Sequence, residues 1–139
     1  MAADVANATG GTLVGQNAHL SGVSFDSRTI SPGQLFVPIV AERDGHEFIE
    51  TALKSGAGAY LTQRDPVGRS AIVVDDTLSA LLKLGAWART RLEPSVGNRV
   101  IGITGSVGKT STKDFIAAAL SGELVVSASE RSFNNDQGL

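Results

Sequence analysis

The stretch Val100-Ile101-Gly102-Ile103-Thr104-Gly105-Ser106-Val107-Gly108-Lys109-Thr110-Ser111 decides how the C-terminal part of this chain folds. Residues 100–104 are apolar enough for a buried parallel strand, and residues 110–120 have the pattern of a helix. The glycines between them let the backbone turn tightly and direct successive N–H groups toward one point. The helix start that follows favours an anion there. The stretch therefore predicts a phosphate-binding loop.

The side chains of this loop match the needs of a nucleotide triphosphate. Lys109 supplies a point charge for the β- and γ-phosphates, and the Thr110 hydroxyl can ligate Mg²⁺. The usual spacing, G-x-x-x-x-G-K-[ST], asks for glycine at position 103, where this chain has Ile103. The alternative is a plain strand-to-helix turn with a solvated lysine, but the predicted strand and helix on either side favour the phosphate loop. We expect ATP and Mg²⁺ as cofactors, Lys109 as a catalytic residue, Thr110 as a metal ligand, and the following nucleotide-binding residues: Thr104, Gly105, Ser106, Val107, Gly108, Lys109, Thr110 and Ser111.

Composition excludes several other classes of protein. The chain has 139 residues, of which 42% are hydrophobic and 19% are charged, as in ordinary globular domains. A net charge of -2 argues against a nucleic-acid partner. With no cysteine there is no disulfide scaffold, thiolate zinc site or cysteine nucleophile. No apolar run approaches the ~20 residues of a membrane span, and the first residues lack a signal-peptide pattern. The expected location is the cytoplasm.

The part of the chain before the loop alternates between strand and helix patterns. Helices are predicted over residues 2–8, from Asp44-Gly45-His46 onward, and from an N-cap at Thr77 to residue 92. The inward residues of the last helix are predicted to be Leu78, Leu81, Leu82, Gly85 and Ala88. Strands are predicted over residues 12–14, 20–25, 35–40, 59–61 and 71–74. Pro38 within the third of these suggests an edge strand or a bulge.

The composition of residues 93–99 is typical of a linker, so a domain boundary is predicted there. The predicted fold class is α/β. A small mixed α/β N-terminal domain covers residues 1–95. The first β-loop-α-β of a P-loop central domain covers residues 96–139, and its second strand is predicted over residues 124–126. This second piece is too short to bury a core by itself, so we expect a fragment of a longer protein.

Several motifs together resemble the Mur ligases, the cytoplasmic ATP-dependent enzymes that build the peptide of peptidoglycan. The loop matches the shortened ATP loop of that family, which accounts for Ile103. Three stretches are similar to the N-terminal, UDP-binding domain of two of its members, namely Phe25-Asp26-Ser27-Arg28, Pro32-Gly33-Gln34-Leu35-Phe36-Val37 and Asp44-Gly45-His46-Glu47-Phe48-Ile49. The segment Asn134-Asn135-Asp136-Gln137-Gly138 resembles the member that adds D-alanyl-D-alanine. The segment 40–44 is one residue shorter than the family pattern.

The resemblance implies a set of substrate-binding residues, namely Ser27, Arg28, Asn134 and Asn135. From spacing alone, Arg28 is a surface residue beside a turn hydrogen bond from Asp26, and the asparagines form an ordinary loop. His46 is best interpreted as a capping or packing histidine, because nothing pairs it with a nucleophile.

The resemblance also implies a reaction. ATP phosphorylates the terminal carboxylate of a UDP-N-acetylmuramoyl-tripeptide, and D-alanyl-D-alanine, bound by a domain absent from this sequence, attacks the acyl phosphate. The chain alone is expected to be inactive. Three alternatives remain: the sister ligase that adds the third stem residue, a non-catalytic UDP-substrate or nucleotide-binding module, and a kinase-like nucleotide hydrolase.

Overall fold

A computed structural model describes residues 1–41, 43–68, 70–97 and 99–129 of the chain. The chain divides into two compact units, Met1–Arg89 and Thr90–Leu139. The domain assignment by function, to residues 1–95 and 96–139, stays a prediction. Among the described residues, no helix combines the length and the apolar character that crossing a bilayer requires.

The first unit is built on a five-stranded sheet. Its strands are β1 (Thr12–Gly15), β2 (Val23–Ser24), β3 (Leu35–Phe36), β4 (Ala59–Thr62) and β5 (Ser70–Val73). The strand order is β1-β5-β4-β3-β2. Strands β2 to β5 run parallel, and β1 pairs antiparallel with β5. The predicted mixed α/β class is therefore confirmed.

Helices cover both faces of this sheet. They are α1 (Ala2–Thr9), α2 (Ile49–Lys54) and α3 (Thr77–Val96), and a 3-10 helix, Gly45–Phe48, leads into α2. Because strand residues alternate between faces, Leu35, Leu61 and Ile72 pack with α1 and α3 on one side. Phe36 and Tyr60 pack with α2 on the other side. The carboxyl ends of four parallel strands are thereby held at one edge.

The strand predicted over residues 35–40 is shorter than expected and lies elsewhere in the sheet. It ends at Phe36 and pairs with both β2 and β4, so the prediction of an edge strand was wrong. Pro38 follows the strand, where its missing N–H interrupts no ladder hydrogen bond. Its carbonyl accepts a hydrogen bond of 2.6 Å from the Thr77 hydroxyl. The strand predicted over residues 20–25 is likewise reduced to Val23–Ser24.

Helix α3 begins and faces the core differently from the prediction. Asp76 provides the cap, since its Oδ1 accepts a hydrogen bond of 2.7 Å from the Ser79 N–H, whereas Thr77 is buried. The buried positions of α3 are Thr77, Ala80 and Leu84. Of the predicted inward residues, Leu81 packs against the core, whereas the prediction was wrong for the exposed Leu82 and Gly85. Leu82, for example, is 45% exposed. The helix also continues to Val96, so the first half of the predicted linker is helical.

In the second unit, the predicted helix is present as α4 (Lys109–Leu120). The two predicted strands, residues 100–104 and 124–126, are wrong for the described part of the chain. A parallel strand forms only where neighbouring strands satisfy its backbone groups, and no described strand pairs with either segment. Val100 and Ile101 are accordingly 58% and 57% exposed.

Candidate functional site

The phosphate loop has the backbone geometry that its glycines allow. Gly105 has φ 150° and Gly108 has φ 80°, both in the region that favours glycine. Gly108 is the N-cap of α4, and its carbonyl accepts a hydrogen bond of 2.9 Å from the Thr112 N–H. A Cβ on Gly108 would meet nothing within 4 Å, so this glycine is required by the backbone conformation rather than by crowding.

The first turn of α4 is suited to an anion. No side chain of a described residue caps this helix, and Gly108 has none to offer. The N–H groups at the start of the helix and the positive end of its dipole therefore point toward the loop. This arrangement is the general phosphate-binding geometry of a glycine loop followed by a helix.

Lys109 folds back over the loop. Its Nζ donates a hydrogen bond of 2.5 Å to the Gly105 carbonyl, and the residue is half-buried. The ammonium group therefore lies inside the curve of the loop, where phosphate oxygens of a nucleotide would accept its hydrogen bonds. Around it, Thr104, Ser106, Val107, Thr110 and Ser111 are all exposed to solvent.

The loop fits a nucleotide phosphate better than it fits a metal ion alone. Within the described ranges, no group of three or more His, Cys, Asp or Glu side chains could hold a metal. Thr110, the second residue of α4, would supply one hydroxyl ligand to Mg²⁺, and phosphate oxygens and water would supply the others. Asn134 and Asn135 lie outside the described residues.

In the first unit, Ser27 and Arg28 follow β2 at the carboxyl edge of the sheet. Ser27 is 7% exposed, so a ligand could reach only a small part of its surface. Arg28 points to solvent and is held by Asp26, with Nε–Oδ1 and Nη2–Oδ2 distances of 2.9 and 2.7 Å. This hydrogen bond and the Asp26 charge raise the pKa of Arg28 above its usual value. The Arg28 N–H also donates to Asp26 Oδ1 at 3.0 Å, which is the turn arrangement that spacing alone favours.

His46 is a packing histidine, as predicted from the sequence. Its side chain is 2% exposed, and Nδ1 lies 2.7 Å from Asp44 Oδ1. The Gln63 N–H donates to Nε2 at 3.3 Å. Because Nε2 accepts, Nδ1 carries the proton and donates to Asp44. Both ring nitrogens are therefore engaged in structure.

Asp44 organises this edge through contacts with His46 and Arg64, and the contact with Arg64 was not predicted from the sequence. Asp44 Oδ1 accepts from the His46 N–H at 2.9 Å, and Oδ2 accepts from Arg64 Nη2. The hydrogen bonds from His46 lower the pKa of Asp44, and the charge of Arg64 adds to the effect. Arg64 lies two residues after β4. An arginine so close to the end of a buried strand is the sequence feature that could have indicated this partner.

The described residues 39–41 and 43–46, which follow β3, lie at the same edge. Val40 and Asp44 form an antiparallel bridge, and the Gly45 N–H donates to the Ile39 carbonyl at 3.0 Å. A Cβ on Gly45 would lie 2.6 Å from the Ile39 nitrogen, so only glycine fits here. The Arg43 guanidinium lies 5.0 Å from the Phe48 ring centre. In parallel α/β sheets, ligands bind outside the carboxyl ends of the strands, where these residues and Ser27 lie.

Comparison with known proteins identifies the class to which this fold and these motifs belong. The family model described as "Mur ligase family, catalytic domain" matches residues 19–86. Proteins named UDP-N-acetylmuramoyl-tripeptide--D-alanyl-D-alanine ligase match the chain in Bacillus subtilis, with 41% identity over 98% of the chain, and in Escherichia coli, with 40% identity over 93%. These matches confirm the resemblance to the Mur ligase family that the sequence motifs show.

Solved structures of MurF ligases also resemble the chain. A MurF structure from Acinetobacter baumannii covers 99% of the chain with a TM-score of 0.83 and 29% identity. MurF from Thermotoga maritima, solved in complex with ADP, covers 87% of it with a TM-score of 0.65 and 32% identity. The chain spans 31% of the length of the Bacillus relative and 28% of the Escherichia relative.

Proposed function

We propose that this chain is the N-terminal portion of an ATP-dependent, amide-bond-forming ligase of peptidoglycan precursor synthesis. The ligase joins D-alanyl-D-alanine to UDP-N-acetylmuramoyl-tripeptide through an acyl phosphate, and it acts in the cytoplasm. The observation that carries the proposal is the loop Gly105 to Ser111, with Gly108 opening α4 and Lys109 folded into its curve, in a chain whose relatives bear this ligase name.

Each unit has its own part in this reaction. The carboxyl edge of the first unit binds the UDP end of the substrate, with Ser27 and Arg28 as contacts. The loop of the second unit binds the phosphates of ATP through backbone N–H groups and Lys109. Asn134 and Asn135 contact the diphosphate of the UDP substrate. When bound, Mg²⁺ neutralises charge on the transferring phosphoryl group.

Lys109 contributes charge stabilisation rather than proton transfer. Its ammonium is free to leave the Gly105 carbonyl for phosphate oxygens, which are stronger acceptors because they are charged. As charge develops during phosphoryl transfer, a preorganised cation at this point stabilises the transition state.

The test measures phosphate release by the protein in which this sequence continues over the full length of its relatives. Release should require ATP, UDP-N-acetylmuramoyl-tripeptide and D-alanyl-D-alanine together. Phosphate release that does not depend on the dipeptide would instead identify a nucleotide hydrolase. Calorimetric titration of the present chain with UDP-N-acetylmuramoyl-tripeptide tests the first unit separately. The affinity should fall on Ser27→Ala, and equal binding by both proteins would remove Ser27 from the site.

A further inference from the structure

A closed ring of hydrogen bonds joins the segment after β4 to the loop after β3. Arg64 Nη2 donates to Asp44 Oδ2, and Asp44 Oδ1 accepts from His46 Nδ1 at 2.7 Å. His46 Nε2 then accepts from the N–H of Gln63, the residue next to Arg64, at 3.3 Å. The two segments are therefore tied together at two points, one of them charged.

The β4 side of this ring is rigidly anchored. Thr62 is 1% exposed, and its Oγ1 accepts from the Arg64 N–H at 3.0 Å and lies 3.3 Å from the Arg64 carbonyl. Further along, the Tyr60 hydroxyl accepts from the Val67 N–H at 2.6 Å and donates to the Val67 carbonyl. Buried side chains thus fix the backbone that carries Arg64.

Both sides of the ring lie at the carboxyl edge of the sheet, and Asp44 is its member in the segment after β3. Asp44 closes the loop through its bridge with Val40, whose side chain is 56% exposed. A displacement of Asp44 would therefore move both the loop and the start of the 3-10 helix, which Asp44 caps.

We propose that Arg64 is a positioning residue that holds Asp44, and with it the bridge to Val40 and the start of the 3-10 helix, in the conformation that receives the UDP end of the substrate. The inference rests on the proposed function of the first unit. Preorganising a loop improves affinity because less conformational freedom is lost on binding. Arg64 thereby acts on substrate affinity without contacting the substrate.

The solvent exposure of the Arg64–Asp44 ion pair distinguishes a role in substrate binding from a role in stabilising the fold. The Arg64 and Asp44 side chains are 59% and 26% exposed, and ion pairs so open to solvent contribute little to the stability of a fold. Loss of Arg64 should therefore change the affinity for substrate much more than the melting temperature.

The experiment is calorimetric titration of the chain with UDP-N-acetylmuramoyl-tripeptide, together with thermal melting of each variant. Arg64→Gln should raise Kd by roughly two- to tenfold and leave the melting temperature nearly unchanged. Arg64→Lys, which keeps the charge, should recover part of the affinity. The matched control is Lys54→Gln, which removes the exposed 3.5 Å pair with Glu50 before β4 instead of after it. The control should change neither quantity.

A double-mutant cycle with Asp44→Asn distinguishes positioning from direct contact. If Arg64 acts through Asp44, the double variant should bind no more weakly than the weaker single variant. Additive losses would mean that Arg64 contacts the substrate itself and would overturn the inference. Equal binding by wild type and Arg64→Gln would also overturn it, while leaving the proposed function intact. A wild-type chain that does not bind the substrate would overturn the proposed function, and the inference with it.

Discussion

Replacement of His46 tests whether this histidine has a structural role. His46→Ala removes the donor to Asp44 and the acceptor of the Gln63 N–H. A hydrogen bond to a charged group contributes about 1.5–3 kcal/mol, and a neutral one contributes about 0.5–1.5 kcal/mol. The two effects share one side chain and are not additive, so we expect a loss of about 3 kcal/mol in the free energy of unfolding.

Two further variants divide this loss between the two ring nitrogens. In His46→Asn, the side-chain amide N–H replaces Nδ1 and keeps the bond to Asp44, but the acceptor for Gln63 is lost. In His46→Gln, the side-chain oxygen replaces Nε2 and keeps that acceptor, but the donor to Asp44 is lost. Each variant should therefore lose about half as much stability as His46→Ala.

The assay is urea unfolding of the chain, followed by circular dichroism and analysed for the transition of the first unit. A loss below about 0.5 kcal/mol for His46→Ala would refute the structural role, since that is the usual effect of a surface substitution. A second refutation comes from kinetics of the complete ligase. If His46→Gln lost most of kcat while keeping near-normal stability, His46 would act as a general base instead.

Three other predictions concern Lys109, Asp44 and Tyr60. Lys109→Ala and Lys109→Met should both lower kcat of the complete ligase by about 10²-fold or more, because neither keeps the charge; normal kcat at saturating ATP would show that Lys109 only docks the nucleotide. Asp44 has a pKa below its ordinary value of 3.8 in the folded chain, so its stabilising effect is present above that value and is lost as pH falls through the lower, folded pKa. As the pH is lowered, the free energy of unfolding should therefore fall less steeply for Asp44→Asn than for wild type. Identical pH profiles for the two proteins would contradict this assignment. Tyr60→Phe should cost about 0.5–1.5 kcal/mol in urea unfolding, because the Val67 N–H and carbonyl lose their partner, whereas unchanged stability would show that water replaces the hydroxyl.

Local sequence patterns were sufficient to predict most of the helices. The start of α1, the face of α2 formed by Ile49 and Ala52, and the extent of α4 all follow from residue spacing and from glycines at helix ends. The conformation of the glycine loop could also be predicted, because it depends on the local backbone geometry of Gly108 and the charge of Lys109. These features depend on residues a few positions apart, which is the distance over which a sequence pattern carries information.

Pairing between distant segments was decided only by the tertiary structure. The position of β3 inside the sheet depends on β2 and β4, and a strand of two apolar residues does not specify its neighbours. Threonine is a common helix N-cap, but the Thr77 hydroxyl is buried and donates to the Pro38 carbonyl. Asp76 therefore caps α3 instead. Such contacts depend on where the chain folds back, which local propensity does not encode.

The glycine loop of the second unit was predicted from local sequence, whereas the contacts at the carboxyl edge of the first unit's sheet were not. The sequence by itself predicted a phosphate site at Gly105 to Ser111, because the glycines, the lysine and the helix start are contiguous. Only the tertiary structure placed Arg64 beside Asp44 and His46 between Asp44 and Gln63. Those partners come from the ends of separate parallel strands, and parallel strands meet at one edge only when the whole sheet has assembled.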